Sequence, residues 1–308
     1  MQPSSIDFCI PYVSSGLACI EFLIKNALET AFYPDRIRFI VSYHSESDLA
    51  HLKSSQCYKN IFKVIYSEPY SKKVIFYPSA NHSLAINNLS KETEGDIVIF
   101  CDYDMAFVKK GWDCIIENDI LSADNDIVGV TYQPFLFKIN NGLTKSIPWL
   151  KFADLLKYQD LPNLSFFCLK RDVLIEKFNG RMTFFEDFLS SGGLPFRIIN
   201  TAHMSIVNNL PFGSVQWLDT GYEIPQIIYD KKIKYKTLAP IDFSKQKILD
   251  YISNPSELNP LLLPEIFSID SINPFLCHFK KGTTKMGENE GHVEFQKFKI
   301  CIENFNNN

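Results

Sequence analysis

The hydrophobic and polar positions of this chain alternate between two periods. Ile6 to Val13 reads as a first strand, with Pro11 near its end, where a missing N–H is tolerated. Ser14-Ser15-Gly16 is a turn, and Leu17, Ile20, Leu23, Ile24, Ala27, Leu28 and Ala31 recur at helical spacing until Tyr33-Pro34-Asp35. Arg36 to Tyr43 is a second strand, followed by the polar cluster His44 to Asp48. Ile61 to Tyr66 and Val74 to Tyr77 are short apolar runs, and Pro78 to Leu89 reads as a helix with small residues at its start. Strand, helix, strand predicts a parallel α/β sheet.

The later chain repeats this alternation. A helix after Gly111-Trp112 carries Ile115, Ile116 and Ile120, and strands are predicted over Ile127 to Tyr132 and Leu164 to Leu169. Lys170-Arg171-Asp172 opens a helix that ends at Asn179-Gly180, and Met182 to Ser191 and Tyr222 to Asp230 are further helices. Lys232 to Leu238 is a basic strand. Residues 133–163 form a long excursion in which Trp149, Phe152, Leu155 and Leu156 share one helical face, suited to packing on the sheet or to peripheral membrane contact. From about Pro240 the pattern becomes irregular, Cys277 to Lys285 reads as a polar loop, and Phe295 to Phe305 is amphipathic, as a docked terminal helix would be. This divides the chain into a domain over 1–240 and a C-terminal extension over 241–308.

One stretch carries the chemistry. Ile97 to Cys101 is an unbroken apolar run, as in a strand covered on both faces, and Asp102-Tyr103-Asp104 follows at once. Ligands of open α/β sheets collect beyond the carboxyl ends of strands, and two carboxylates spaced i, i+2 there suit Mg²⁺ or Mn²⁺ with a diphosphate. The same spacing recurs at Asp124-Asn125-Asp126, but that copy precedes an apolar strand and reads as a turn.

Composition narrows the picture. Of 308 residues 46% are hydrophobic, enough for a large core, and the net charge of -4 gives no footing for a nucleic-acid partner. The eight cysteines form no C-x-x-C pair and several lie inside apolar strands, which argues for a reducing compartment rather than a disulfide framework or a zinc site. The amino terminus has no signal-peptide pattern and no segment is long and apolar enough to span a bilayer, so a cytoplasmic location is expected.

The order of parts over residues 5 to 285 resembles a GT-A glycosyltransferase, nearest to the inverting family-two group. Ile10-Pro11-Tyr12 is similar to the first nucleotide-binding strand, and Asn81-His82-Ser83 to the helix that flanks the nucleotide. Asp102-Tyr103-Asp104 matches the D-x-D metal motif, with Gly111-Trp112-Asp113 after it. Asp219-Thr220-Gly221 resembles the acidic catalytic motif, and Cys277-His278-Phe279 the late histidine that joins the metal site. The resemblance implies a nucleotide-sugar donor, a UDP-sugar by preference, and Mn²⁺ or Mg²⁺ on Asp102, Asp104 and His278. It further implies a glycan or other hydroxyl acceptor and inversion at the sugar. The aspartate that reads uracil has no clear counterpart; Ser45, Glu46 and Asp48 occupy its region. Glu186-Asp187 competes with Asp219 for the base.

The chemistry asks for the same parts. The leaving diphosphate needs its charge stabilised, and the acceptor hydroxyl must lose a proton to a carboxylate. Lys280, Lys281 and Lys285 either close over the diphosphate or form a solvated tail. His82 either contacts phosphate or caps its helix. Two other functions fit the pattern: a nucleotidyltransferase, against which the glycine-poor Ser14-Ser15-Gly16 turn counts, and a non-catalytic nucleotide- or sugar-binding module.

Overall fold

A computed structural model describes residues 3–70, 80–121, 125–131, 161–183, 224–241, 265–270, 273–279, 295–296, 298–300 and 302–303. Among these, ten strands form one mixed sheet: β1 (Ile6–Pro11), β2 (Ile37–Tyr43), β3 (Ile61–Tyr66), β4 (Ile97–Cys101), β5 (Met105–Phe107), β6 (Ile127–Thr131), β7 (Pro162–Lys170), β8 (Tyr235–Pro240), β9 (Glu265–Ser268) and β10 (Pro274–His278). Their order is β3-β2-β1-β4-β7-β6-β8-β9-β10-β5. The first four are parallel, as the strand-helix-strand pattern predicts. The rest is mixed: β7 runs antiparallel between β4 and β6, β8 pairs with β6 in parallel, and β9, β10 and β5 add three antiparallel pairings beyond β8.

Alternation within the strands builds two cores. Ile6, Phe8 and Ile10 of β1 and Ile97, Ile99 and Cys101 of β4 face α1 (Leu17–Thr30), whose Ile20, Leu23, Ile24 and Ala27 are buried against them. Cys9, Val98 and Phe100 face the other way, toward Ile86 and Leu89 of α3 (Ala80–Lys91). The result is a sheet covered by helices on both faces, which is why β4 reads as continuous rather than alternating apolar sequence. The same opposite core takes in Val173, Leu174 and Phe178 of a helix over Arg171–Phe178, and Ile224 and Ile228 of one over Ile224–Asp230.

Several sequence expectations are corrected. The cluster after β2 is a helix, α2 (Glu46–Ser54), capped by the Ser45 hydroxyl, which accepts from the Asp48 N–H at 3.1 Å. Helical spacing is weak there because α2 buries only Asp48 and Leu52. Cys277 and His278 are not in a loop: they end β10, which is held between β9 and β5. Strand β8 starts at Tyr235 rather than Lys232, whose φ of 51° is left-handed. The expected strand at 74–77, nearly all of the 133–163 excursion and of the 182–191 helix, and the 277–285 loop after Phe279 lie outside the described residues.

One glycine is fixed by a close approach. Gly111 has φ 73°, and a Cβ there would stand 2.2 Å from the Phe32 ring, while its N–H donates to the Thr30 carbonyl at 2.6 Å. It opens α4 (Trp112–Cys114), which continues as a π-helical turn over Ile115–Ile120.

Candidate metal centre

The acid pair follows directly from how β4 ends. Asp102 keeps its N–H on the sheet, donating to the Ser165 carbonyl of β7 at 2.9 Å. The chain then turns through Tyr103 and Asp104 and re-enters the sheet as β5, on the far side of β10. The outer flank of β5 is closed by a side chain: Asn26 of α1 donates from Nδ2 to the Phe107 carbonyl at 2.9 Å and accepts the Phe107 N–H at 2.6 Å. Tyr103 stands over another close-approach glycine, since a Cβ on Gly16 would lie 2.2 Å from its ring. The Tyr103 ring also meets Tyr12 edge-on, with centroids 6.4 Å apart.

Strand β10 brings in the third donor. His278 pairs with Met105 across the β10–β5 ladder, and one residue on, the Phe279 N–H donates to the Asp104 carbonyl at 2.8 Å. Phe279 itself is locked under Phe295 and Phe298, at centroid distances of 5.5 and 5.4 Å. His278 Nε2 therefore stands 3.3 Å from Asp104 Oδ1, and one ligand atom from each of Asp102, Asp104 and His278 lies within 4.8 Å of the others. Two carboxylate oxygens and one imidazole nitrogen form a borderline-hard set that fits Mn²⁺ or Mg²⁺. Among the described residues the Asp104 carboxylate meets one charged side chain, His278, and that of Asp102 meets His82, Nε2 to Oδ1 at 3.4 Å.

The field at His278 is strongly negative. Burial opposes its charge, yet the Asp104 and Glu265 carboxylates on either side raise its pKa to about 10. Glu265 lies opposite His278 in the β9–β10 register, with Oε2 3.0 Å from Nδ1. Sequence reasoning missed Glu265. Its only signal is an acid at the start of an apolar run, Ile266-Phe267, which acquires meaning once β9 and β10 are known to pair.

The remaining sequence candidates fall into three groups. Pro11 ends β1, and Tyr12 is buried just beyond it with a hydroxyl that has no hydrogen-bond partner among the described residues. Burial, chiefly, raises the pKa of both the Tyr12 and Tyr103 hydroxyls. His82 and Asn81 sit in the first turn of α3; Asn81 Oδ1 accepts the Tyr70 N–H at 2.7 Å. Ser83 is fully buried, and its carbonyl accepts from the Thr183 hydroxyl at 3.0 Å. Ser45 is engaged as the cap of α2, while both oxygens of Asp48 accept backbone N–H groups, from Ser14 at 2.8 Å and His44 at 3.4 Å. Asp126 of the second acid pair makes a salt bridge to Lys170, at the end of β7, at 3.2 Å. Asp124, Asp187, Asp219, Lys280 and Lys285 lie outside the described residues.

On the approach to Asp187 the chain is described as far as Thr183. Asn87 of α3 accepts the N–H groups of Met182 and Thr183 through Oδ1, at 3.1 and 2.8 Å, and donates to the Thr183 carbonyl at 2.9 Å. The chain is thus clamped to α3 four residues before Asp187.

No protein-family model matches the chain, and no curated protein matches it. Among solved structures it is similar to a mannosyltransferase from Pyrobaculum calidifontis in complex with GDP-Man and Mn²⁺, at 11% identity and TM-score 0.43 over 82% of this chain and 61% of that one. Mouse xyloside xylosyltransferase 1 in its apo form is similar at 12% identity and TM-score 0.43, over 77% of this chain and 85% of that one. Staphylococcus aureus TarS, residues 1–349, is similar at 14% identity and TM-score 0.36, over 55% and 48%. The match thus spans about three fifths of the mannosyltransferase and half of TarS. No helix among the described residues is long and apolar enough to cross a membrane.

Proposed function

We propose that this chain is a divalent-metal-dependent glycosyltransferase of the GT-A type. It would move a sugar from a nucleoside diphosphate, a UDP-sugar by preference, to a hydroxyl acceptor such as a glycan, with inversion. The observation that carries this reading is the convergence of Asp102, Asp104 and His278 from β4 and β10 at the ligand-binding edge of the sheet. A divalent ion held there supplies charge stabilisation to the departing diphosphate.

The residues of the chain supply the rest. Asp104 and His278 are rigid donors, because the backbone of each is tied into the β5–β10 ladder. Asp102 is half-exposed and faces His82 at the start of α3, where a phosphate can meet both the imidazole and the first-turn N–H groups. Tyr12 and Tyr103 wall the nucleotide side, beside the turn that Gly16 permits. A carboxylate, Asp219 or Asp187, takes the acceptor proton as the bond to the sugar forms. Lys280 and Lys285, which follow His278 closely in sequence, are the candidates to neutralise the diphosphate. The seven described cysteines are free, in keeping with a cytoplasmic location.

Donor hydrolysis measured across a panel of nucleotide sugars, with and without Mn²⁺, tests the proposal. Mn²⁺-dependent release of nucleoside diphosphate from one donor is expected; binding of that donor without turnover, with every acceptor class tried, would instead indicate a binding module. Asp219→Asn and Asp187→Asn separate the two base assignments, because the true base loses roughly 10²-fold or more in turnover with donor affinity kept.

A further inference from the structure

Among the described residues, Glu265 is a carboxylate that offers no ligand atom to the Asp102–Asp104–His278 set, yet it touches a member of it. It is held at 15% side-chain exposure against His278 at 16%, so both are shielded from bulk water. The contact is built by the sheet rather than by a flexible arm, since Glu265 and His278 are direct partners in the β9–β10 register. The two ring nitrogens of His278 are divided between two carboxylates: Nδ1 at 3.0 Å from Glu265 and Nε2 at 3.3 Å from Asp104.

We infer that Glu265 is a positioning residue for the metal centre, accepting the Nδ1–H of His278 so that Nε2 is the nitrogen aimed beside Asp104 and the one that gives up its proton when an ion binds. Which nitrogen of a histidine is free to ligate is set by the hydrogen bond the other makes. A carboxylate there fixes both the tautomer and the ring orientation and makes the imidazole a better donor, and loss of such a partner typically costs 10–100-fold in metal affinity. Strand β9 therefore has a chemical role besides pairing: it delivers the acid that orients the donor on β10. This inference rests on the metal reading above.

The test measures binding of Mn²⁺ alone to the purified protein, from the free-ion electron paramagnetic resonance signal, with spin-echo detection of nitrogen coupling in the bound ion. The wild type is expected to bind one ion with a histidine nitrogen in its coordination sphere. Glu265→Ala should weaken binding by about 10–100-fold, and Glu265→Gln, whose amide oxygen still accepts from Nδ1–H, should stay within about threefold. If the alanine variant does not fold, Glu265→Met, which keeps length but cannot accept, takes its place with the same expected loss. The double variant Glu265→Ala/His278→Ala should bind no more weakly than His278→Ala, because Glu265 acts only through the imidazole. Wild-type affinity and nitrogen coupling in a folded Glu265→Ala protein would overturn the inference, as would a further loss in the double variant. Absence of saturable Mn²⁺ binding in the wild type would instead overturn the metal reading itself.

Discussion

The two ends of the sheet treat carboxylates in opposite ways. At the amino end Asp113 is fully buried and saturated: its oxygens accept the Phe32 N–H at 2.8 Å, the Tyr33 N–H at 3.0 Å and the Arg36 Nε–H at 3.2 Å, with the Arg36 Nη2 atom in ion-pair contact at 3.1 Å. Asp7 is equally saturated, by the Glu94 and Gly95 N–H groups at 2.6 and 2.7 Å and by Arg38 at 2.7 Å. At the carboxyl end Asp102 and Asp104 receive no backbone donor among the described residues, and each faces one histidine. A carboxylate whose lone pairs are already filled by amides is a fastening. One left with open lone pairs in a partly desolvated place is poised for a cation from outside. The difference lies in the partners, since the residue type is the same.

Substitutions on the two sides should therefore fail in different measurements. The largest effect is expected for Asp104→Asn, a near-isosteric change: Mn²⁺-dependent turnover falls by on the order of 10³-fold, while the thermal midpoint of the metal-free protein shifts far less than for the corresponding change at Asp113. Steady-state kinetics beside thermal melts would show it, and retained turnover would erase the contrast. Asp113→Ala does the reverse. Leaving Arg36 buried without its main partner should cost about 3–5 kcal/mol in urea unfolding, with donor affinity of the folded fraction unchanged.

Gly16→Ala sharpens the comparison, because it touches the site without removing a donor. The added methyl displaces the Tyr103 ring between the two acids, and a shift of about 1 Å in that turn should lower turnover roughly 10²-fold with only a modest loss of stability. If Gly16→Ala melts as early as Asp113→Ala, the Tyr103 contact belongs to the fastenings.

The smallest effect is expected in the acid limb of stability. Burial works against the charge of Glu117, yet hydrogen bonds from Ser4 and the Arg36 guanidinium hold its pKa below the ordinary 4.5. A depressed carboxylate pKa contributes stability that is fully present above the unfolded value and is lost as pH falls through the folded one. Urea midpoints recorded below pH 4.5 should therefore decline more steeply for the wild type than for Glu117→Gln, with the Glu117→Gln protein the less stable of the two at pH 7. Parallel curves would detach Glu117 from the saturated end.

The sequence made the strands β1, β2 and β4 legible because residues covered on both faces leave an unmistakable apolar run. The first acid pair was separable from the Asp124–Asp126 pair by which end of a strand it occupies, and Asp126, just before β6, is tied up by Lys170 at the end of β7. What escaped were the long-range parts. Strands β5, β9 and β10 are three to five residues long and owe their existence to pairing with one another, so no local periodicity announces them. For the same reason His278 read as a loop residue tied to the metal only by resemblance, and Glu265 was invisible. Helix α2 escaped because its apolar face is only one residue wide, and its cap, Ser45, was read as a ligand candidate.

The central claim is that the open carboxylates at the end of β4, completed by His278, hold a divalent ion. A crystal structure of the protein with Mn²⁺ and UDP, with anomalous scattering recorded at the manganese edge, tests it most directly. One anomalous peak is expected within bonding distance of Asp104 and His278, about 2.0–2.3 Å from the His278 Nε2 atom. A peak at Asp126, or an ion bound by the nucleotide without either Asp104 or His278, would contradict it.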